Sequence, residues 1–536
     1  MAALDASPKK PGERRHRRRF SFQLSFRPMR RVLDFTTTAS RHAVAWAVRA
    51  ALLFIAGCLI LALGFTLYAV NALPDLQPWH TTRLTKEFDA LRHRRMDFAG
   101  YLALEKELFD EAAAVSATWR GRGETFEHSR FNPTGAMQRL ADGAPYNRSF
   151  RLTPAAPVGG ALLVHGLTDS PYSVRAVAEV LYRGGFEVTV LRLPGHGTLP
   201  SMMTEMHARD WQAAVELAAR DVAARTPPGA PYYVGGYSTG ASLALHHALR
   251  TLEDDSARRP TRVLLLSPAI QLTPAAALAN VIDFFSIIPV PVLEKVRWQE
   301  VVAEYDPYKF NSFPVNASRQ VNRATNAMQA ALAAAAADGR IASMPPVVTW
   351  QSVVDSTVGS APTVDVLYAR LNGAQHRLVM FDVNRSVKLA SVQRPTARAL
   401  IERVARGERR YTLELVSNAS PETLDIALYR LAPGKPVETV QTGLAWPREL
   451  VSLGHVALPF PPDDPVYGIR PGSGRDGLPS LGSLLLRGES GALTVSLGSL
   501  TRVRSNPFWP IIESQIEVMA AADVQSATAT PSPAAR

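Results

Sequence analysis

The stretch YYVGGYSTGASLAL, Tyr232–Leu245, decides how the rest of the chain is read. An apolar, β-branched run leads into Gly-Tyr-Ser-Thr-Gly, and a helix-forming run comes after it. Gly236, Ser238 and Gly240 form the pattern G-x-S-x-G. At a strand-to-helix junction this pattern makes a sharp, strained turn that lifts a serine hydroxyl out of a sheet. The glycines are needed because side chains there would collide with the neighbouring strand and helix. The next helix points its dipole and free N–H groups at the same place. A turn serine without chemistry fits the five residues alone, so the context has to carry the reading.

That context is a series of short apolar runs alternating with helical patterns. GGALLVHG (159–166), FEVTVLRLPGHG (186–197), PYYVGGYS (231–238), RVLLLSPA (262–269) and MPPVVTWQSVVD (344–355) read as strands. SVRAVAEVLYRGG, HARDWQAAVELAARDVAAR and GASLALHHALRTLE read as helices between them. Such alternation predicts an α/β fold with a mostly parallel central sheet and helices on both faces. Two segments interrupt the rhythm. Residues 268–343, with LANVIDFFSIIPVPVLEKV and the alanine-rich NAMQAALAAAAADG, are expected to form a mostly helical cap. Its residues Phe284, Phe285, Ile287 and Ile288 could line an acyl pocket or simply pack the cap onto the sheet. Residues 386–449 are expected to form a second insertion, with a helix in RPTARALIERVARGE and strands in YTLELVSN and LDIALYRL.

The chain has 536 residues, 46% hydrophobic and 20% charged, enough for a large core. Its net charge of +12 is unevenly spread. Residues 1–49 hold twelve Lys or Arg against Asp5, Glu13 and Asp34, which leaves only +3 for the remainder. The basic character belongs to a tail, which argues against a nucleic-acid-binding fold. The tail precedes AALLFIAGCLILALGFTLYAV (50–70), 21 residues without a charge. As a helix they would span about 30 Å, enough to cross a bilayer. The clusters RRHRRR and RPMRR lie on the N-terminal side, so the positive-inside rule keeps the N-terminus cytoplasmic and exports the chain beyond the apolar run. Arg83, Lys86, Arg92, Arg94 and Arg95 weaken that bias without reversing it. A cleaved signal peptide, with Val70 and Ala72 near its cleavage site, is the rival reading, but the charged region and apolar run are long for one. The heavy use of arginine and alanine suggests a GC-rich bacterial source, for which the exported compartment is a periplasm and the anchoring membrane the inner one. Cys58, the only cysteine, lies within the apolar run, so no disulfide is available to the exported part.

The expected organisation is a basic tail (1–49), a transmembrane anchor (50–70), a helical stalk or pre-domain (71–150), an α/β domain (151–520) and a disordered tail (521–536). The low-complexity SATATPSPAAR prompts the last of these.

A serine hydroxyl needs a base to take its proton. In folds with this elbow the partners occur in the order Ser, acid, His. Asp355 closes the strand run VVTWQSVVD, and Asp365 and Asp382 are its rivals. His455 lies on the loop in ELVSLGHVALPF, downstream of both, and its rivals are His376, His246 and His247. The backbone N–H groups of Leu167, after the strand ending in His165-Gly166, and of Thr239, beside the serine, are candidate donors to an oxyanion. His165 is read as a structural turn partner and His196 in LPGHG as a loop former. No cluster of Cys, His or acids gives a metal signature, and no cofactor is implied.

HGLTDSPYS, LRLPGHGT, GYSTG, QSVVDSTV and SLGHVALPF together resemble the ordered motif set of the α/β-hydrolases. They are closest to the branch of monoacylglycerol lipases, bacterial carboxylesterases and serine aminopeptidases. The resemblance covers roughly 155–355, with shorter returns near 375–385 and 450–460. It implies Ser238 as nucleophile, Asp355 as acid, His455 as base, and Leu167 with Thr239 as the oxyanion hole. It further implies hydrolysis of carboxylic esters, lipid-like or small, through an acyl-enzyme. Amide, thioester or carbon–carbon cleavage by the same residues, or a catalytically silent binding module, are the alternatives. The chain departs from the family in its anchor, its long pre-domain and the hundred residues between Asp355 and His455.

Overall fold

The computed structural model describes residues 43–61, 63–64, 68, 75–121, 123–133, 145–271, 291–389, 393–394, 396–471, 481–483 and 502–529. It divides into two units, 1–72 and 73–536. In the first, the described part of the expected anchor is a helix, Ala43–Leu61, long and apolar enough to cross a membrane. It begins seven residues earlier than the charge-free run. The rest of residues 1–49, and Phe284, Phe285, Ile287 and Ile288, lie outside the described residues.

The second unit is built on a ten-stranded sheet. Its strands are β1 (Phe150–Leu152), β2 (Gly159–Val164), β3 (Phe186–Leu191), β4 (Tyr232–Tyr237), β5 (Arg262–Leu266), β8 (Val347–Ser352), β9 (Arg377–Phe381), β10 (Thr412–Asn418), β11 (Asp425–Leu431) and β12 (Glu438–Ala445). The order is β1-β3-β2-β4-β5-β8-β9-β10-β11-β12. From β3 to β10 all neighbours are parallel, and β1, β11 and β12 are antiparallel additions at the edges. β6 (Trp298–Glu300) and β7 (Phe313–Pro314) form a separate two-stranded ribbon.

Among the described residues, the longer helices of the unit are α1 (Phe98–Ser116), α2 (Arg175–Arg183), α3 (Ala208–Arg225), α4 (Thr239–Arg250), α5 (Val315–Ala337), α6 (Thr396–Arg406) and α7 (Trp509–Ala529). The central strands are buried at every position because both faces are covered. Along β2, Leu162 and Val164 enter the core beneath α3, α4, α5 and α6, while Ala161 and Leu163 enter the core beneath α2 and α7. The period of two thus divides one apolar run between two layers.

The segments outside the central strands take these places. The stalk is not separate: α1 puts Phe98 and Tyr101 into the main core. The buried Arg192 guanidinium, 1% exposed, pairs with Glu87 at 2.9 Å and Glu105 at 3.1 Å, and Tyr101 donates to the Arg192 carbonyl at 2.6 Å. Burial pushes the Glu105 carboxyl up, and Arg192 offsets this only in part. In the described part of the cap, the long helix α5 packs on α4 and α3 as a crossover between β5 and β8. Within residues 386–449, α6 and the strands β10 and β11 fall where a helix and two strands are expected, and β10, β11 and β12 widen the central sheet. The tail is helical to Ala529. Ile512, Ile516, Met519 and Ala520 form one buried face of α7, and Asp523 accepts from Tyr233 and Arg262 at 2.6 and 2.5 Å. Alanine-rich composition favours helix once such a face is available to bury.

Replacing Arg192 with methionine leaves Glu87 and Glu105 facing each other without their counter-charge. We expect a loss of about 3–5 kcal/mol, measured by thermal or denaturant unfolding of the full chain in detergent.

Candidate active site

β4 delivers Ser238 to the end of the sheet and α4 leaves from it. Ser238 has φ 56° and ψ −117°, a conformation rare for a residue with a side chain. Its N–H donates to Leu266 on the neighbouring strand at 2.9 Å, which ties the turn to the sheet. The flanking glycines have no room for substitution. A Cβ at Gly236 would lie 2.5 Å from the Val164 carbonyl oxygen, and one at Gly240 2.2 Å from the same atom.

β8 delivers Asp355, which closes a turn by accepting from Thr357 and Val358 at 2.9 and 3.1 Å through Oδ1. His455 arrives on the loop after β12. Ser352 donates to the Leu453 carbonyl at 2.7 Å, Asn384 N donates to Val451 at 2.8 Å, and the Tyr237 hydroxyl donates to the His455 carbonyl at 3.2 Å. These bonds bring the imidazole between the other two side chains. His455 Nδ1 lies 2.7 Å from Asp355 Oδ2, and Nε2 lies 3.0 Å from Ser238 Oγ. All three side chains are buried.

Burial alone would raise the Asp355 carboxyl. The His455 ring and the two N–H donors outweigh it and hold the group below the ordinary carboxylate range. A charged Asp355 can only accept, so Nδ1 carries the proton and Nε2 presents its lone pair to Ser238.

The rivals are occupied elsewhere. Asp365 pairs with Arg403 on the surface, and Asp382 with Arg385 and Ser417. His376 meets the Val347 N–H at 3.2 Å, and His247 meets Glu216 at 3.0 Å. His246 lies on α4 beside a 560 Å³ groove away from the elbow. His165 accepts from Leu193 N at 2.9 Å, so its Nδ1 donates to the Gly166 carbonyl at 2.8 Å. Burial first, then His196 beside it, keeps that ring neutral. His196 holds the Pro194 carbonyl at 3.1 Å. Both histidines shape loops.

Leu167 comes after Gly166 at the end of β2, in a turn where Thr168 has φ 64°. Thr239 opens α4, so its N–H has no acceptor within the helix. Among the described residues no group of three or more His, Cys, Asp or Glu could hold a metal.

Sequence reasoning passed over Gln351. Its amide donates to Asp355 Oδ2 at 3.1 Å while its carbonyl accepts from Thr363 at 2.9 Å. A polar residue within the buried run of β8 was the available signal.

Residues 155–382 match the family model described as serine aminopeptidase, S33. Over these residues the chain is similar to this branch of the α/β-hydrolases. The thermostable monoacylglycerol lipase of Bacillus sp. (strain H-257) is 38% identical to this chain over 89 residues, 17% of this chain and 34% of that one. The chain thus spans about a third of the length of the curated relative it matches. A structure from the metagenome-derived lipolytic enzymes LipS and LipT is 22% identical, covering 45% of this chain and 89% of its own, with a TM-score of 0.35. The monoacylglycerol lipase of Paleococcus ferrophilus is 18% identical, covering 47% and 96%, with a TM-score of 0.32.

Gly240→Ala puts a methyl group against two carbonyl oxygens of the β2 end. We expect the protein to lose about 3 kcal/mol or to distort the elbow, seen as a lowered melting temperature together with slower reaction of Ser238 with a serine-directed probe.

Proposed function

We propose that this hydrolase is a membrane-anchored serine enzyme that cleaves carboxylic esters, with Ser238 as nucleophile, His455 as base and Asp355 as the acid that orients it. The observation that carries the reading is the unbroken hydrogen-bonded line from Asp355 through His455 to Ser238.

Ser238 Oγ attacks the ester carbonyl carbon while its proton passes to His455 Nε2. The carbonyl oxygen becomes an oxyanion and is met by the N–H groups of Leu167 and Thr239. Asp355 remains ionised and stabilises the imidazolium. The tetrahedral intermediate collapses, the C–O bond to the leaving group breaks, and His455 returns the proton to release the alcohol. Water then attacks the acyl-enzyme, giving its proton to His455. Collapse frees the carboxylic acid and restores the Ser238 hydroxyl. The net reaction consumes one ester and one water, with no cofactor. The lipase name of the Bacillus relative favours a lipid-like ester.

The helix Ala43–Leu61 supports the anchor, and the basic residues before it support a cytoplasmic N-terminus with the remainder exported. Reporter fusions made after residue 75 are expected to be active only in the exported compartment. Activity only in the cytoplasm would reverse the topology.

A fluorophosphonate probe is expected to label the wild type and not Ser238→Ala. An unlabelled wild type would remove the case for catalysis. Asp355→Asn is expected to lower kcat on a p-nitrophenyl ester by about 10⁴-fold, because His455 loses the partner that fixes its tautomer.

A further inference from the structure

Asp169 lies two residues after the Leu167 donor and takes no part in the Asp355–His455–Ser238 line. Its N–H donates to the Gly166 carbonyl at 3.3 Å, which closes the turn. The fit is tight, since a Cβ on Gly166 would come within 2.7 Å of Asp169 Oδ2. The side chain is only 10% exposed. Burial pushes this carboxyl up, Lys309 and the His455 ring pull it down, and Asp306 adds to the rise. A buried negative charge at this place opposes the charge that the reaction builds on the substrate oxygen.

Lys309 answers it. Its ammonium is 3.4 Å from Asp169 Oδ1, and among the described residues it is the cation paired with that carboxylate. The segment that carries Lys309 is firmly placed. Phe310 N donates to the Thr168 carbonyl at 2.8 Å, so the backbone is strapped across the same turn. Asp306 Oδ1 accepts from Tyr308 N, Lys309 N and the Tyr467 hydroxyl at 3.0, 3.1 and 2.5 Å. Arg504 stands 3.7 Å from Asp306 Oδ2. Lys309 therefore projects from an anchored loop, and its side chain remains 30% exposed at the rim.

We propose that Lys309 is a positioning residue for the reaction: its ammonium neutralises and holds the Asp169 carboxylate against Gly166, and so keeps the Leu167 turn receptive to a developing negative charge. The proposal rests on Ser238 acting as nucleophile and Leu167 as oxyanion donor. It separates the pair from substrate binding, because the charge is felt at the transition state and hardly at all in the neutral ester.

The test compares Lys309→Met, Lys309→Arg and the double variant Asp169→Asn/Lys309→Met in the full chain, by steady-state kinetics on a neutral p-nitrophenyl ester and by melting temperature. Lys309→Met is expected to lower kcat about 10–100-fold with KM changed less than about threefold, the signature of an interaction made in the transition state. Lys309→Arg is expected to restore most of kcat. Removing the carboxylate as well, in the double variant, is expected to recover at least about tenfold over Lys309→Met. A double variant as slow as Lys309→Met would make the role structural and overturn the proposal. So would a wild-type kcat in Lys309→Met, or a loss confined to KM. A wild type that fails to label with fluorophosphonate would take down the reading of Ser238 and this proposal together, whereas a labelled wild type with unchanged Lys309→Met removes this proposal alone.

Discussion

The carbonyl oxygen of Val164, at the end of β2, is the wall against which the site is built. Cβ positions at both Gly236 and Gly240 fall within 2.5 Å of it, so the elbow can turn this tightly only where neither residue has a side chain. The same crowding forces Ser238 to φ 56°, and the parallel bond from Ser238 N to Leu266 prevents the turn from relaxing. Strain of this kind costs roughly 1–3 kcal/mol, and it persists because the two buried layers around β4 leave the backbone no other course.

From there the problem is one of reach. Asp355 leaves β8, next but one to β4, but the chain then adds β9 to β12 before it offers His455. Four strand spacings put β12 roughly 19 Å from β8. The nine residues 446–454 can cover about 30 Å when extended, enough to return across the sheet end. They are held along the way by the Trp446 N–H on Leu424, by Asn384 on Val451, by Ser352 under Leu453 and by Tyr237 under His455. A wide separation in sequence is therefore compatible with a 2.7 Å contact, because the excursion is made of sheet and its return is tied at four points.

The elements legible in the sequence were those whose local pattern and global place agree. β2, β4, β5 and β8 read as apolar runs because both faces are covered, and Ser238, Asp355 and His455, singled out from motif and order, are the side chains that meet. Segments whose place depends on distant partners were not legible. Nothing within 394–449 says that β10 pairs in parallel with β9, because YTLELVSN would look the same in a free hairpin. The helix of residues 509–529 has a low-complexity end, and its order comes from a core and from Tyr233 and Arg262, more than 250 positions earlier. Residues 71–150 read as a helical stalk or pre-domain apart from the sheet because the sequence cannot show that Glu87 and Glu105 have a buried arginine to meet.

That arginine joins the pre-domain to the turn after β2. Glu87 accepts from both Arg192 and Gly195 N, the latter at 2.8 Å, and Arg192 in turn donates to the His196 carbonyl at 3.0 Å. Leu193 N then fixes His165, whose other nitrogen holds the Gly166 carbonyl beside Leu167. Each link is buried or nearly so, where hydrogen bonds to charged groups are strongest and the loss of a partner is most costly. The path runs from residues beyond the apolar N-terminal helix to the turn that carries the Leu167 N–H. A segment that reads as a spacer thus supplies part of the scaffold for that turn. The pre-domain and the turn that carries the Leu167 N–H are one structural feature.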